Sequence, residues 1–280
     1  GSILTLNVGA NANKSNSSNN SFSGIGFLKG SLTDMAFANG YPTNGHPSGS
    51  ESLSSAVGVY GNLNIIFLNR YFVDGSYRVS GSSKFGKDRR FAPFWSVGIG
   101  WNAHNESFLS DLGWFNIFRI RGSVGYTGSV NFSDYQAITT YRYKQDNNYL
   151  ISMGALPIGM GNDRLKWQTT VKYNVGATLE MWDGRLSANF DIYKEDTKDL
   201  LLSISTPPSM GVTNVMDNLG ETGNWGYEWS LSGLLIKSNQ LYWRMGLSGH
   251  HTENKLKKIS NSMKRQNDSA MSETGVAAPK

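Results

Sequence analysis

The sequence predicts an all-β fold, an antiparallel transmembrane β-barrel of the outer-membrane type, and three observations support that prediction. Apolar and polar residues alternate with a period of two along many segments, which is typical of strands that have two different faces. The composition is 12% aromatic and only 17% charged, with 32 Gly, whereas an average globular domain has about 25% charged residues. The links between the alternating segments are short and long in turn, as in barrels that cross a membrane.

Several other classes of protein are excluded by the composition. The chain has no Cys, so it offers no disulfide framework, thiolate metal site or cysteine nucleophile. The longest apolar runs, residues 65–68 and 234–236, fall far short of the roughly 20 residues of a transmembrane helix, although a barrel strand needs only about 9 to 11. Basic residues are spread along the chain outside two clusters at residues 84–90 and 255–265, so we expect no nucleic-acid partner.

The first half of the chain contains five predicted strands in which one parity is apolar. They cover residues 3–10, 57–65, 71–79, 95–101 and 118–126. Trp and Tyr recur near the ends of the alternating segments, where the aromatic girdles of a membrane barrel would lie.

The second half shows the clearest alternation, along residues 167–181. Val175 and Leu179 belong to the apolar parity there, whereas Lys172 and Glu180 belong to the polar one. Asp183 and Gly184 follow, and residues 186–192 then alternate again. This dipeptide is favoured in two-residue hairpin turns, so the two segments are predicted to form an antiparallel hairpin. Further strands are predicted at residues 225–231 and 241–247, which gives about nine strands in all.

Every second link between these strands is long. Short links are predicted near residues 68–70, 183–184 and 237–240, with a medium one at 104–115. Long outer loops are predicted at about residues 11–50, 81–93, 127–166, 201–220 and 253–280. Because consecutive strands of a meander reverse direction, all the long loops should lie at one end, the outer end of an outer-membrane barrel.

The polar parities carry charged side chains. Such groups are tolerated in a water-filled barrel lumen, whereas burying them unpaired in the core of a soluble protein is costly. The residues predicted to face the lumen are Arg119, Arg121, Lys172, Glu180 and Arg244.

A soluble β-sandwich or propeller remains the alternative, and folding in water without detergent would separate the two. An odd number of strands cannot close a bacterial barrel, so we expect the chain to be part of one barrel domain, with terminal strands absent.

Seven motifs occur in order along the chain and resemble a known family. They are SGSSKFG (residues 80–86), FAPFWSVGIGWN (91–102), FRIRGSVGYTGS (118–129), NDRLKWQTTVKYNVGATL (162–179), YKEDTKDLLL (193–202), NLGETGNWGYEWSLSG (218–233) and LYWRMGLSGHHTENK (241–255). Over about residues 61–258 the chain resembles the SusC/RagA-like TonB-dependent outer-membrane transporters. It departs from the family's usual pattern at Ser80, where Asp is usual, and at Gln168, where Glu is usual.

The resemblance implies an incomplete run from a barrel of roughly 22 strands in the bacterial outer membrane, in contact with its lipid and lipopolysaccharide. It also implies a plug domain, which this chain lacks, energy supplied through TonB, and a SusD-like surface lipoprotein as partner. The implied function is import of oligosaccharides; the alternatives are a peptide importer of the same family and a ferric-chelate or vitamin receptor.

Aromatic residues in the longest central loop are the candidates for contact with substrate. Tyr135, Tyr141, Tyr143 and Tyr149 lie there, and aromatic rings stack on sugars and pack on peptides. The sequence predicts no enzyme, because it has no pair of His residues at helical spacing and no Gly-x-Ser-x-Gly elbow. It also predicts neither a cofactor nor a metal site.

Overall fold

A computed structural model describes residues 1–27, 30, 34–43, 45, 47–130, 132–149, 152–238 and 240–258. Within these residues, nine strands form one sheet in the order β1-β2-β3-β4-β5-β8-β9-β10-β11, and β6 and β7 form a separate two-stranded sheet. The strands are β1 (Ile3–Ser21), β2 (Ser48–Phe67), β3 (Tyr71–Ser82), β4 (Phe91–Asn102), β5 (Phe115–Ser129), β6 (Thr140–Tyr149), β7 (Ser152–Gly159), β8 (Gln168–Met181), β9 (Leu186–Ser205), β10 (Asn214–Lys237) and β11 (Tyr242–Lys258).

The helical content of the described chain is small. One short helix, α1 (Ser107–Ser110), and 3₁₀ turns at Met35–Phe37, Lys87–Arg89, Ala103–Asn105 and Pro208–Met210 lie in the links between strands. Among the described residues, no helix has the length and apolar character needed to cross a membrane. The fold is therefore all-β, as predicted.

Each strand of the large sheet pairs antiparallel with its neighbour in the chain, except that β5 pairs with β8 because the β6–β7 hairpin intervenes. The predicted tight turn joins β8 to β9, with φ of 54° at Trp182, 55° at Asp183 and 76° at Gly184. Leu68 and Asn69 have φ of 52° and 57° in the turn between β2 and β3. Positive φ matches the right-handed twist of the strands that such turns connect.

The register gives the sheet one apolar and one polar face. A single row of partners on the apolar face runs across all nine strands as Leu4, Ile65, Val73, Ile99, Gly122, Val175, Ile192, Tyr227 and His251. A row on the polar face, three residues away along each strand, runs as Asn7, Asn62, Ser76, Ser96, Gly125, Lys172, Glu195, Asn224 and Asn254. We call these two sides the apolar face and the polar face.

Most of the apolar face is exposed in the part of the chain that the structure describes. Val8 is 73% exposed, Ile99 60% and Val175 54%. In the part of the chain that the structure describes, the buried apolar residues are few: Phe85, Phe94, Ala103, Leu165, Met181 and Val212. A continuous exposed apolar surface of this kind is stable against lipid and not in water.

The loops are shorter than the sequence predicted, because the strands continue into them. The loop predicted at residues 11–50 loses its ends to β1 and β2, which remain paired as far as Ser21 and Ser48. The loops predicted at 81–93 and 201–220 shrink to 83–90 and 206–213. The loop predicted at 127–166 contains the β6–β7 hairpin. Strand β11 extends to Lys258, into the loop predicted at 253–280, and residues 259–280 lie outside the described residues.

The reason for this difference is that backbone hydrogen bonds do not require apolar side chains. Residues 11–21 are rich in Asn and Ser, so they show no apolar parity, yet their backbone pairs with β2 throughout. Link lengths alternate less regularly than predicted, because the 103–114 link, predicted to be of medium length, is longer than the 83–90 and 206–213 links at the other end. Links at 68–70, 103–114, 182–185 and 238–241 lie at one end of the sheet, and the links at the other end include 83–90, 130–167 and 206–213.

Candidate functional site

The candidate site consists of the polar face and of the loops that pack at the long-loop end of the sheet. All the charged residues predicted to face the lumen lie on the polar face. Arg121 donates from Nη2 to both carboxylate oxygens of Asp191, at 2.7 and 2.6 Å. Lys172 forms an ion pair with Glu195 at 2.8 Å. Arg119 donates to Asn102 Oδ1 at 2.7 Å.

The other two predicted residues lie toward the short-turn end. Arg244 donates from Nη2 to the carbonyl oxygen of Gly184 at 3.3 Å. Glu180 lies opposite Ser187 in the register of β8 and β9. The polar face therefore carries both signs of charge, with several charges paired across strands.

Gly176 lets the Arg121 side chain cross β8 to reach Asp191. The three residues are successive partners in one row, Arg121 on β5, Gly176 on β8 and Asp191 on β9. A Cβ on Gly176 would collide with the Asp191 carboxylate and would come within 2.9 Å of the Arg121 guanidinium carbon. Glycine is used where another group must approach the backbone closely.

The same row continues past the ion pair. Glu228 follows Asp191 on β10, and His250 follows Glu228 on β11. These side chains line a shallow concavity of about 460 Å³ on the polar face. Within the described residues, no group of three or more His, Asp or Glu is arranged to hold a metal ion.

A small hydrophobic core lies beneath the loops at the long-loop end. Phe85 is 1% exposed. Its ring centroid is 4.6 Å from that of Trp167 and 5.3 Å from that of Phe132. Phe94, a buried residue of β4 on the polar face, lies 5.2 Å from Trp167. We call this group of aromatic rings the loop core, and it joins the 83–90 link to the 130–167 link.

The 130–167 link is anchored to β2 and to the 83–90 link by a carboxylate. Lys84 pairs with Asp134 at 3.0 Å and donates to the Phe132 carbonyl oxygen at 3.1 Å. Ser52 donates its hydroxyl to the other carboxylate oxygen of Asp134. The Ser52 hydrogen bond, and after it the hydrogen bond and charge of Lys84, hold the pKa of Asp134 below its usual value.

The other end of the same link is anchored to β9 and β10. Asn162 donates to the Met216 carbonyl oxygen at 3.0 Å and to Asp217 Oδ1 at 3.1 Å. Asn218 accepts from the Lys166 backbone N–H at 3.0 Å, and Lys166 Nζ pairs with Asp199 at 2.9 Å. Both ends of the link are therefore fixed to the sheet, with the β6–β7 hairpin between them.

The four predicted tyrosines do not form one cluster. Tyr135 has φ of 67° and accepts from the Leu53 backbone N–H at 2.7 Å, so it contributes to the anchor on β2. Tyr141 and Tyr143 lie on one side of β6 and are 64% and 70% exposed. Tyr149 pairs with Ser152 at the end of the hairpin, and its side chain lies outside the described residues.

The residues that organise the loops were missed by the sequence analysis. Lys84, Asp134, Asn162 and Asn218 make the contacts that hold the links in place. They occupy segments without periodicity, and strand pattern therefore gives no signal for them. The only available signal was the isolated Phe85 in a polar, Gly-rich stretch, because a large aromatic residue in such a stretch is often buried.

Comparison with known proteins assigns the chain to a family. The family model described as "TonB dependent receptor-like, beta-barrel" matches residues 3–273. A TonB-dependent receptor of Formosa agariphila is 30% identical over 215 residues, which is 76% of this chain and 21% of that protein. The TonB-dependent receptor SusC of Bacteroides thetaiotaomicron is 29% identical over 218 residues, 74% of this chain and 21% of that protein.

Solved structures show the same fold. The RagAB peptide importer in its closed-closed state superposes with a TM-score of 0.82 at 24% identity, covering 92% of this chain and 28% of that chain. The siderophore receptor PiuA of Acinetobacter baumannii superposes with a TM-score of 0.57 at 13% identity, covering 92% of this chain and 36% of that chain. The likeness extends along the sheet, so the soluble sandwich alternative is wrong.

The chain spans about one fifth of the length of the curated relatives that it matches. The match to the family model includes every strand of the large sheet. The apolar face, the polar face and the alternation of short turns with long loops are the features of an outer-membrane barrel. This chain belongs to the TonB-dependent receptor-like β-barrel family of the bacterial outer membrane.

Proposed function

We propose that the whole protein imports oligosaccharides across the outer membrane and that this chain supplies part of its barrel wall and outer loops. The observation that supports this most is the row of mainly neutral polar residues across the polar face, in which Asn62, Ser76 and Ser96 are successive partners. Amide and hydroxyl groups exchange hydrogen bonds with sugar hydroxyls without the cost of desolvating a charge.

Exposed aromatic rings at the long-loop end also support a sugar substrate. Tyr141 and Tyr143 lie on one side of β6 and are largely exposed. Two rings on one side of a strand, about 7 Å apart along it, can stack on neighbouring sugar units of a chain. Tyr135 and Tyr149 belong to the same proposal and lie at the base and the far end of this region.

The proposed partners are a SusD-like surface lipoprotein and TonB. The lipoprotein would cover the long-loop end, because outer-membrane barrels present their long loops to the cell surface. TonB would act through segments of the whole protein that lie outside this chain. The polar face would line the lumen, with Arg121, Arg119, Lys172, Glu180 and Arg244 on its wall. The proposal includes no catalytic step.

Import of peptides is the second candidate, because RagAB, whose fold this chain shares, is described as a peptide importer. The charges of both signs on the polar face suit the charged termini and side chains of peptides. The likeness to RagAB is one of fold, so the choice between the two substrate classes depends on experiment.

Uptake by cells tests the proposal. Cells that lack the gene for the whole protein are complemented with the wild type, and uptake of labelled oligosaccharides, peptides and ferric chelates is measured with and without TonB. We expect uptake of oligosaccharide that requires both the protein and TonB. Uptake of peptide alone would establish the second candidate, and uptake of ferric chelate alone would contradict both.

A further inference from the structure

Charged residues lie on the apolar face of β9 and β11, beginning in a row where they alternate with aromatic residues. Tyr173, Lys194, Trp225 and Glu253 are successive partners across β8, β9, β10 and β11. The row below it is apolar except for His251, running as Val175, Ile192, Tyr227 and His251. Along β9 and β11 the surface therefore becomes charged within two residues, which is the spacing of successive side chains on one face.

Lysine predominates in this region. Lys194, Lys198, Lys255 and Lys257 share it with the carboxylates of Asp196 and Glu253. We call these residues the lysine band. Asp196 pairs with Lys257 across Gly223, and Glu253 pairs with Lys255 at 2.9 Å. The ammonium group of Lys194 lies 3.8 Å from Asp196, and the Lys194 side chain is 61% exposed.

A groove leads from the apolar face to Lys194. Its volume is about 460 Å³, and its lining includes Tyr173, Val175, Ile192, Lys194 and Trp225. Val175 and Ile192 are partners in the row below the aromatic rings and form the apolar part of the groove. Tyr173 and Trp225 are the two partners of Lys194 in the register, so an aromatic residue lies on either side of this lysine.

The position of the groove indicates which leaflet it meets. Tyr173 lies in the half of β8 that follows the 130–167 link, at the end of the sheet with the long loops. In outer-membrane barrels this end is the cell-surface end, and aromatic girdles mark the level of the headgroups. The lower part of the groove is apolar, and its upper part carries ammonium groups at the level of the headgroups. This arrangement matches a lipid, whose acyl chains would lie below and whose phosphate would lie above.

We propose that the groove and the lysine band bind a phosphorylated lipid of the outer leaflet. One acyl chain lies on Val175 and Ile192, below the rings of Tyr173 and Trp225, and the phosphate contacts Lys194 and Lys198. Four lysines against two carboxylates leave the band with an excess of positive charge for the phosphate. The site depends on the location of the barrel in the outer membrane and not on the identity of the imported substrate.

Native mass spectrometry of the whole protein in detergent tests the site. The probes are diphosphorylated lipid A, the same lipid without phosphates, and inorganic phosphate alone. We expect the wild type to prefer the phosphorylated lipid, and Lys194→Ala to weaken that binding by about fivefold at low salt. A double variant, Lys194→Ala with Lys198→Ala, should weaken it by about 25-fold, with little change for the lipid without phosphates.

Lys172→Ala is the matched control, because Lys172 lies at a similar level of the neighbouring strand but on the polar face. It should leave lipid binding unchanged. Heat-modifiable gel mobility verifies that each variant still forms the barrel. Equal binding by the wild type and the double variant would overturn the proposal. Binding of inorganic phosphate with the same affinity and the same dependence on Lys194 would assign the lysines to free phosphate and would also overturn the lipid site.

Discussion

At the scale of single residues, a glycine decides whether two charges on the polar face can meet. Arg121 and Asp191 lie on strands that are not neighbours, and their side chains meet above Gly176. Their side chains are 37% and 25% exposed, so water screens the pair and its contribution to stability is modest. Nη2 contacts both carboxylate oxygens and Nη1 donates to Thr178 Oγ1, so the guanidinium group is held in one arrangement on the wall.

Gly176→Ala should therefore displace the Arg121 side chain from Asp191. We expect a loss of about 1 kcal/mol in the free energy of unfolding in detergent, because the added methyl group occupies the space that the pair uses. Gly98→Ala is the control, since a Cβ there meets its nearest atoms at 3.8 Å, an ordinary contact distance. Equal stability of the two variants would show that the Arg121–Asp191 ion pair does not require a glycine at position 176.

The carboxylate of Asp134 gives the loop anchor a dependence on pH. Its pKa is lowered in the folded protein by the Ser52 hydrogen bond and by Lys84. A group of this kind stabilises the folded state above its unfolded pKa of about 3.9, and the contribution is lost as pH falls through the lower folded value. The anchor should therefore hold at neutral pH and weaken below about pH 4.

Hydrogen exchange of the 132–139 backbone, corrected for intrinsic rates, measures this effect. The wild type should keep its protection from pH 5 to about pH 4 and lose it progressively below about pH 4, whereas Asp134→Asn should be less protected at pH 5 and change little on acidification. Ser133→Ala, at an exposed position of the same link, should behave as the wild type does. A wild-type profile that stays flat down to about pH 3 would contradict the role of the carboxylate.

At the scale of elements, the sheet and the loops are stabilised in different ways. The strands are joined by long ladders of backbone hydrogen bonds, interrupted at a few register shifts, and these ladders need no core. The long links instead depend on buried side chains, of which Phe85 at 1% exposure and Leu165 at 0% are the largest. The loops can therefore loosen while the sheet stays intact.

Phe85→Ala should open the loop core without unfolding the barrel. Truncation of a fully buried phenylalanine costs about 3–5 kcal/mol, and here the loss falls on the links that pack around it. We expect faster proteolysis within residues 83–90 and 130–167, with unchanged heat-modifiable mobility. Phe91→Ala is the control, because Phe91 is 66% exposed. Loss of the mobility shift in Phe85→Ala would show that the loop core also supports the sheet.

At the scale of the whole molecule, the two faces of the sheet require different surroundings. Ile99 lies between Trp95 and Trp101 on the apolar face and is 60% exposed. Ser123 lies on the polar face, opposite Gly98 and Asn174. Lipid accepts the first surface and water the second, so a charge has opposite consequences on the two sides.

Ile99→Lys should lower the stability of the whole barrel in lipid vesicles by up to about 2–4 kcal/mol, because the ammonium group faces hydrocarbon. Ser123→Lys should change it by less than about 1 kcal/mol, since the polar face is solvated. Denaturant titration of the refolded protein, followed by tryptophan fluorescence, compares the two. A larger loss for Ser123→Lys would reverse the assignment of the faces.

The sequence by itself determined the strand class, the two faces and the turn at Asp183 and Gly184, because alternation and turn geometry are local properties of the chain. Alternation also assigns Arg121 to the polar parity of its strand. Only the tertiary structure decided what Arg121 contacts, since its partner Asp191 is 70 residues away and the contact requires Gly176 between them. The continuation of β1 through residues 11–21 and the anchoring of the 130–167 link are likewise tertiary. Backbone pairing and contacts between distant loops leave no periodic pattern in the side chains.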